Sequence, residues 1–128
     1  MAGDIKYNGG LTLSLSVSNL DQAIAWYQGV LGFELLYRMD DMGWCELATS
    51  VERVNVGLSV TEDLKPGGAT PTFGVDDIRA AREVLQSHDV KLDGDVMTIE
   101  GMVSLQTFYD PDGNSLMFFQ DLSGGRIG

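Results

Sequence analysis

The chain has 128 residues, 44% hydrophobic and 21% charged, the size and composition of one globular domain, and no apolar run reaches the length of a membrane span. Its 19 acidic and 8 basic residues give a net charge of −11, a field that repels phosphate backbones and argues against nucleic acid while attracting cations. Cys45 is the only cysteine, which excludes an intramolecular disulfide and a thiolate zinc cluster. Residues 1–10 carry no apolar stretch of the secretory type, so a cytoplasmic location is expected.

Residues 11–17 alternate strictly, with Leu11, Leu13, Leu15 and Val17 on one face and Thr12, Ser14 and Ser16 on the other, which predicts a half-buried strand. Ser18 or Asn19 is placed to cap a helix in which Leu20, Ala23, Ile24, Tyr27 and Leu31 recur at helical spacing until Gly32 ends it. Extended runs follow at 33–38, 43–49 and 54–60, so module one, about 11–61, reads as βαβββ. The Lys65-Pro66-Gly67-Gly68 stretch reads as a linker. Beyond it, an offset of 58 residues puts Thr70 on Thr12, Val75 on Val17, Asp77 on Asn19, Ile78 on Leu20 and Ala81 on Ala23, an internal repeat of strand, cap and helix. Module two, about 69–121, continues with a helix to about His88, strands at 90–92, 103–109 and 115–120, and a tight turn at 110–114. Residues 93–102 read as a loop able to serve as a lid. Two helices and eight strands in a single domain, 1–128, are expected.

The stretch Val17-Ser18-Asn19-Leu20-Asp21-Gln22-Ala23-Ile24-Ala25-Trp26-Tyr27, the helix exit Val30-Leu31-Gly32-Phe33 and the turn Asp110-Pro111-Asp112-Gly113-Asn114 resemble, in order and spacing, the vicinal oxygen chelate superfamily of glyoxalases, bleomycin-resistance proteins and extradiol dioxygenases. The resemblance implies an α+β fold in which the paired βαβββ modules form a curved sheet with a concave cup, commonly completed in a homodimer. It also implies a divalent metal in the enzymes. The positions that match the family's metal ligands are Thr12, Gly57, Thr70 and Met117, none of which supplies a carboxylate or an imidazole, so neither metal nor other cofactor is expected. His88, the only histidine, falls at a helix end with no catalytic partner near it in sequence.

Alternation assigns Thr12, Ser14, Ser16, Asn55, Gly57, Ser59, Thr70, Thr72, Met117 and Phe119 to the cup, and turning Cys45 and Leu47 inward sends Trp44 and Glu46 there as well. The faces of 103–109 are not assigned by their pattern, and Trp26 and Tyr27 are expected in the core. The candidate ligand-binding residues are therefore Trp44, Glu46, Thr12, Ser14, Asn55, Thr70, Thr72, Met117 and Phe119. An indole and a thioether among hydroxyls suit a flat, partly apolar molecule, and Glu46 suits a cationic group on it. The expected function is metal-independent binding or sequestration of a small organic molecule, like that of bleomycin-resistance proteins. The alternatives are a glyoxalase-like lyase or dioxygenase that depends on a metal, an isomerase or hydrolase that works without one and uses Glu46 as base, and a non-catalytic interaction domain.

Overall fold

The computed structural model describes residue 6, residues 10–64 and residues 68–124, and the chain divides into two compact units, Met1–Glu62 and Asp63–Gly128. The division falls next to the expected linker, whose residues 65–67 lie outside the described residues.

Unit 1 contains β1 (Leu11–Val17), α1 (Leu20–Leu31), β2 (Glu34–Met39), a 3-10 turn (Asp40–Met42), β3 (Trp44–Ala48) and β4 (Val54–Val60). Asn19 is the helix cap: its backbone is extended and its side chain accepts a hydrogen bond from the Gln22 N–H at 2.9 Å, an arrangement that contributes about 1 kcal/mol. Gly32 ends the helix at φ 72°, a conformation a side chain resists. The sheet runs β1-β4-β3-β2, with β1 parallel to β4 and the other pairs antiparallel. Two parallel strands cannot be joined by a tight turn, so the chain between them must cross over, and α1 is part of that crossing. Leu20, Ala23, Ile24 and Tyr27 of α1 are buried, as are Leu15, Val17, Cys45, Leu47, Val56 and Leu58 of the strands. Each large aliphatic side chain so buried stabilises the unit by about 1.5–3 kcal/mol. Tyr27 is fully buried, stacked 6.0 Å from Phe33, with Trp26 edge-on to it at 4.8 Å. Burial also pushes the Cys45 thiol pKa up, which makes it an unreactive core residue.

Two irregularities in unit 1 bear on its exposed face. The register between β2 and β3 shifts between Leu35 and Tyr37, a bulge that breaks the alternation of β2. In the turn joining β3 to β4, the Val54 N–H bonds the Val51 carbonyl at 3.2 Å and Arg53 has φ 62°. That is the third position of a turn that normally takes glycine, and a residue with a Cβ pays roughly 1 kcal/mol to adopt it.

Unit 2 repeats the connectivity with β5 (Thr72–Gly74), α2 (Ile78–Ser87), β6 (Lys91–Leu92), β7 (Met97–Ile99), β8 (Val103–Tyr109) and β9 (Ser115–Asp121). The order is β5-β9-β8-β6, with β5 parallel to β9 and β7 paired to β8. Asp77 caps α2 by accepting from the Arg79 and Ala80 N–H groups, as its repeat partner Asn19 caps α1, and exposed His88 closes the helix. The described residues thus hold nine strands rather than eight. Residues 93–102, expected as a loop and possible lid, contain β7, which hairpins onto β8 through a turn whose Gly101 has φ 73°. Three residues are too few to show a period. In β8 the adjacent Val103 and Ser104 are both buried, which hides the alternation; beyond them Gln106 and Phe108 point inward and Leu105, Thr107 and Tyr109 the other way. The buried Gln106 is satisfied by Arg82, which donates to its Oε1 and to the Gly94 carbonyl.

The turn between β8 and β9 is held by Asp110, only 5% exposed, whose Oδ1 accepts from the Asp112 and Asn114 N–H groups and whose Oδ2 accepts from Asn114 Nδ2 at 2.8 Å. Asp110→Ala strips three donors of their acceptor, and Asn114, 2% exposed, has little access to water in exchange. We expect a loss of about 2–3 kcal/mol in urea unfolding, with Asp110→Asn less damaging.

Candidate functional site

The face of the unit 1 sheet opposite its buried side chains is laid out by strand register. Ser14, Gly57, Glu46 and Tyr37 are paired across β1, β4, β3 and β2; Thr12 and Asn55 make the row on one side, and Ser16, Ser59, Trp44 and Met39 the row on the other. Cys45 and Leu47 are fully buried, so Trp44 and Glu46 take the opposite face, as the alternation predicts.

These side chains form one connected network. Glu46 Oε2 accepts from Asn55 Nδ2 at 2.8 Å and from the Thr12 hydroxyl at 3.2 Å, and Oε1 accepts from the Tyr37 hydroxyl at 2.9 Å. The Tyr37 oxygen in turn accepts from Trp44 Nε1 at 3.0 Å. All three donors to the carboxylate are neutral. The Asn55 hydrogen bond leads in holding the Glu46 pKa below the usual glutamate range; partial burial opposes it, and Tyr37 and Thr12 assist. Glu46 therefore carries a full negative charge at neutral pH, and among the described residues no cation pairs with it.

Trp44 is held from beneath by an absence. A Cβ built on Gly57 would lie 2.0 Å from Trp44 Cη2 and 2.6 Å from Cζ2, so the indole occupies the space that any other residue at 57 would fill. Beside the network, Gly10, Leu11, Thr12, Arg53 and Asn55 line a cleft of about 420 Å³, within the range of small-molecule sites.

In unit 2, Thr72, Met117 and Thr107 form one cross-strand row and Gly74, Phe119 and Leu105 another, while the Thr70 and Ser115 hydroxyls bond at 2.7 Å. Phe119 covers Gly74 much as Trp44 covers Gly57, its ring 2.9 Å from the position of an added Cβ. This face carries mainly hydroxyls and apolar groups around Met117 and Phe119, with Lys91 over the Tyr109 ring at 5.5 Å. The register thus joins Thr12, Ser14, Trp44, Glu46 and Asn55 on the unit 1 sheet face, and Thr72, Met117 and Phe119 on the unit 2 sheet, which Thr70 meets through its contact with Ser115. Tyr37 was missed by sequence reasoning, because the bulge before it conceals its face. The pair of an indole and a carboxylate two residues apart gave no hint of a phenol between them.

The residues present do not fit a divalent ion. Thr12 donates its proton to Glu46, Gly57 has no side chain and its space is filled by Trp44, Thr70 bonds Ser115, and Met117 offers a thioether. Among the described residues, no three His, Cys, Asp or Glu side chains converge.

Two consecutive units, βαβββ in the first and the same order with the short added strand β7 in the second, each closed by a parallel pairing of its first and last strands, define the glyoxalase-type fold. A family model for the Glyoxalase/Bleomycin resistance protein/Dioxygenase superfamily matches residues 11–118, and the chain belongs to that superfamily. No curated protein sequence matches it significantly. Among solved structures, it is similar to a glyoxalase family protein from Bacillus anthracis (19% identity, covering 94% of this chain and 99% of that one, TM-score 0.76). It is similar also to TnmS3, an antibiotic binding protein from Streptomyces sp. CB03234 (24% identity, 94% and 99%, TM-score 0.75). A third is the fosfomycin resistance protein FosX from Listeria monocytogenes, complexed with Mn(II) and sulfate (15% identity, 91% of each chain, TM-score 0.72). At these identities the likeness is one of fold.

Gly57→Ala tests how the indole is held. The added methyl must displace the ring, at a cost of about 1–3 kcal/mol, and break the Trp44–Tyr37 hydrogen bond. The expected readout is a shift and faster solvent exchange of one of the two indole N–H resonances; an unchanged pair of resonances would show that Trp44 does not lie on Gly57.

Proposed function

We propose that the unit 1 face built from Thr12, Tyr37, Trp44, Glu46 and Asn55 binds a small, flat organic cation without metal and without chemical turnover. The observation that carries this reading is the ionised Glu46 carboxylate, fixed by three neutral donors and lacking a cationic partner among the described residues. Such a group is oriented but not neutralised, and a ligand cation can complete it. The adjacent indole offers a flat apolar surface, worth on the order of 1 kcal/mol to a stacked ring beyond its area burial. The net charge of −11 draws cations toward the protein. Ser14 belongs to the same unit 1 face, and on unit 2 the uncharged, partly apolar set Thr70, Thr72, Met117 and Phe119 is proposed separately as ligand-binding. A structural likeness to an antibiotic binding protein is in keeping with sequestration.

A metal-free isomerase or hydrolase using Glu46 as base is the competing reading. The depressed pKa counts against it, because it makes the carboxylate a weaker base at neutral pH while preserving its charge for binding.

A thermal-shift screen of aromatic amines, followed by titration of a binder, tests the proposal. Trp44→Ala is expected to weaken binding about fivefold at every ionic strength, corresponding to roughly 1 kcal/mol. Glu46→Gln is expected to weaken it chiefly at low salt. Because the folded-state pKa of Glu46 is lowered, binding to the parent holds above the ordinary glutamate range and is lost only as the pH falls through that lower value. Both variants binding like the parent would remove these residues from the site.

We also propose, on the family resemblance, that the chain functions as a homodimer in the cytoplasm. Light scattering at micromolar concentration is expected to give twice the mass of the chain, and a monomer alone would refute the dimer.

A further inference from the structure

Arg53 is the position where unit 1 departs from what its own backbone prefers. It occupies the third position of the turn closed by Val54 N–H and the Val51 carbonyl, with φ 62°. Glycine or asparagine would take that conformation readily. Among the described residues, the only other non-glycine with positive φ is Asp89, of a type that tolerates it better. The Arg53 carbonyl accepts from the Leu11 N–H at 2.9 Å, so the base of the side chain is fixed to the start of β1. The residue lines the cleft that Gly10, Leu11, Thr12 and Asn55 share with it.

Its charge is also unused. Arg38 bonds Asp21 and Asp40, and Arg82 bonds Asp95, but Arg53 forms no ion pair among the described residues, in a chain with 19 acidic and 8 basic side chains. An arginine with a left-handed backbone beside a cleft, unpaired with any carboxylate among the described residues, is a group able to take one from outside.

We propose that Arg53 anchors a carboxylate of the ligand, so that the molecule bound by unit 1 is a zwitterion. Arg53 and Asn55 line the same cleft, and the Asn55 amide reaches on to the ionised Glu46 carboxylate. A ligand with an ammonium and a carboxylate on a flat apolar body, as in an aromatic amino acid, matches both Arg53 and Glu46. The guanidinium fork suits carboxylates and phosphates alike, but the strongly negative chain repels a dianion more than a monoanion, which favours the carboxylate. The anion anchor stands on Arg53 alone; the zwitterion rests also on the reading of Glu46 as the partner of a cation.

The experiment uses the full chain and three probes: benzoate, tryptamine and tryptophan. Benzoate is expected to produce saturable NMR shifts at the Leu11, Thr12 and Asn55 amides and at Arg53 Nε–H. Arg53→Gly is expected to weaken benzoate binding about tenfold, the loss of a charge-assisted contact, while raising the melting temperature by a few degrees as the turn strain is relieved. Arg53→Asn, which also accepts the turn, is expected to behave likewise, and Arg53→Lys to retain part of the affinity. Tryptophan is expected to bind the parent more tightly than tryptamine and to lose that advantage in Arg53→Gly. Benzoate binding that is absent from the parent, or unchanged in both Arg53→Gly and Arg53→Asn, overturns the anchor. Tryptamine failing to bind while benzoate still depends on Arg53 overturns the reading of Glu46 and leaves the anchor intact.

Discussion

The parallel pairing of β1 with β4 is the constraint from which the rest of unit 1 follows. Parallel neighbours must be joined by a crossing segment, and the first length of that segment is a helix with one apolar stripe. The burial of that stripe with Leu15, Val17, Val56 and Leu58 commits these residues, on one face of the two strands, to the interior. Register then leaves no freedom for the remainder: Thr12 lies beside Asn55 and Ser14 beside Gly57, and β3 adds Glu46 and Trp44 to the same face. The polar network around Glu46 is thus assembled by packing on the other side of the sheet. A one-residue slip would bury the carboxylate and expose the core together, which no small rearrangement can offset. Unit 2 obeys the same constraint through β5 and β9, with a shorter first strand.

Where such a fold holds a metal, charge on the sheet face is answered by a cation. Here the only carboxylate in the network is answered by an amide and two hydroxyls, each supplying a dipole and none a charge. Dipoles of this kind fix the position of the oxygens and lower the proton affinity without cancelling the field, so the site remains electrostatically open. Gly57 contributes by lacking a side chain: the indole lies in the resulting space, and its N–H fixes the Tyr37 oxygen that in turn donates to Glu46. Positioning and charge are coupled in one chain of contacts, so disturbing the ring also disturbs the carboxylate.

Much of this was legible in the sequence, for identifiable reasons. The strict alternation of 11–17 and 54–60 reflects strands with one buried face, and the Asn19 and Asp77 caps follow from side chains that compete for helix N–H groups. Turning Cys45 and Leu47 inward was enough to place Trp44 and Glu46. The hydrogen bonds among them were not legible, since partners such as Thr12 and Glu46 are brought together only by strand order. Tyr37 was hidden by a bulge, β7 by its brevity, and the faces of β8 by a serine buried beside a valine. Nothing in the sequence singles out Arg53, because its left-handed backbone has no mark where glycine is missing from the position that wants it.

The bulge in β2 has a second effect, on how this protein behaves at high concentration. Within its unit β2 is an outer strand, and it carries half-exposed Leu36 and Met39. A flat outer strand of that composition would offer its unpaired amides and carbonyls as a template for another chain. The bulge at Leu35/Tyr37 sharpens the local twist, and the exposed Glu34 and the Arg38 ion pairs with Asp21 and Asp40 set charges along the same ribbon. Both make an extended intruder harder to align. The irregularity that delivers a phenol to Glu46 therefore also protects the sheet margin from runaway strand addition.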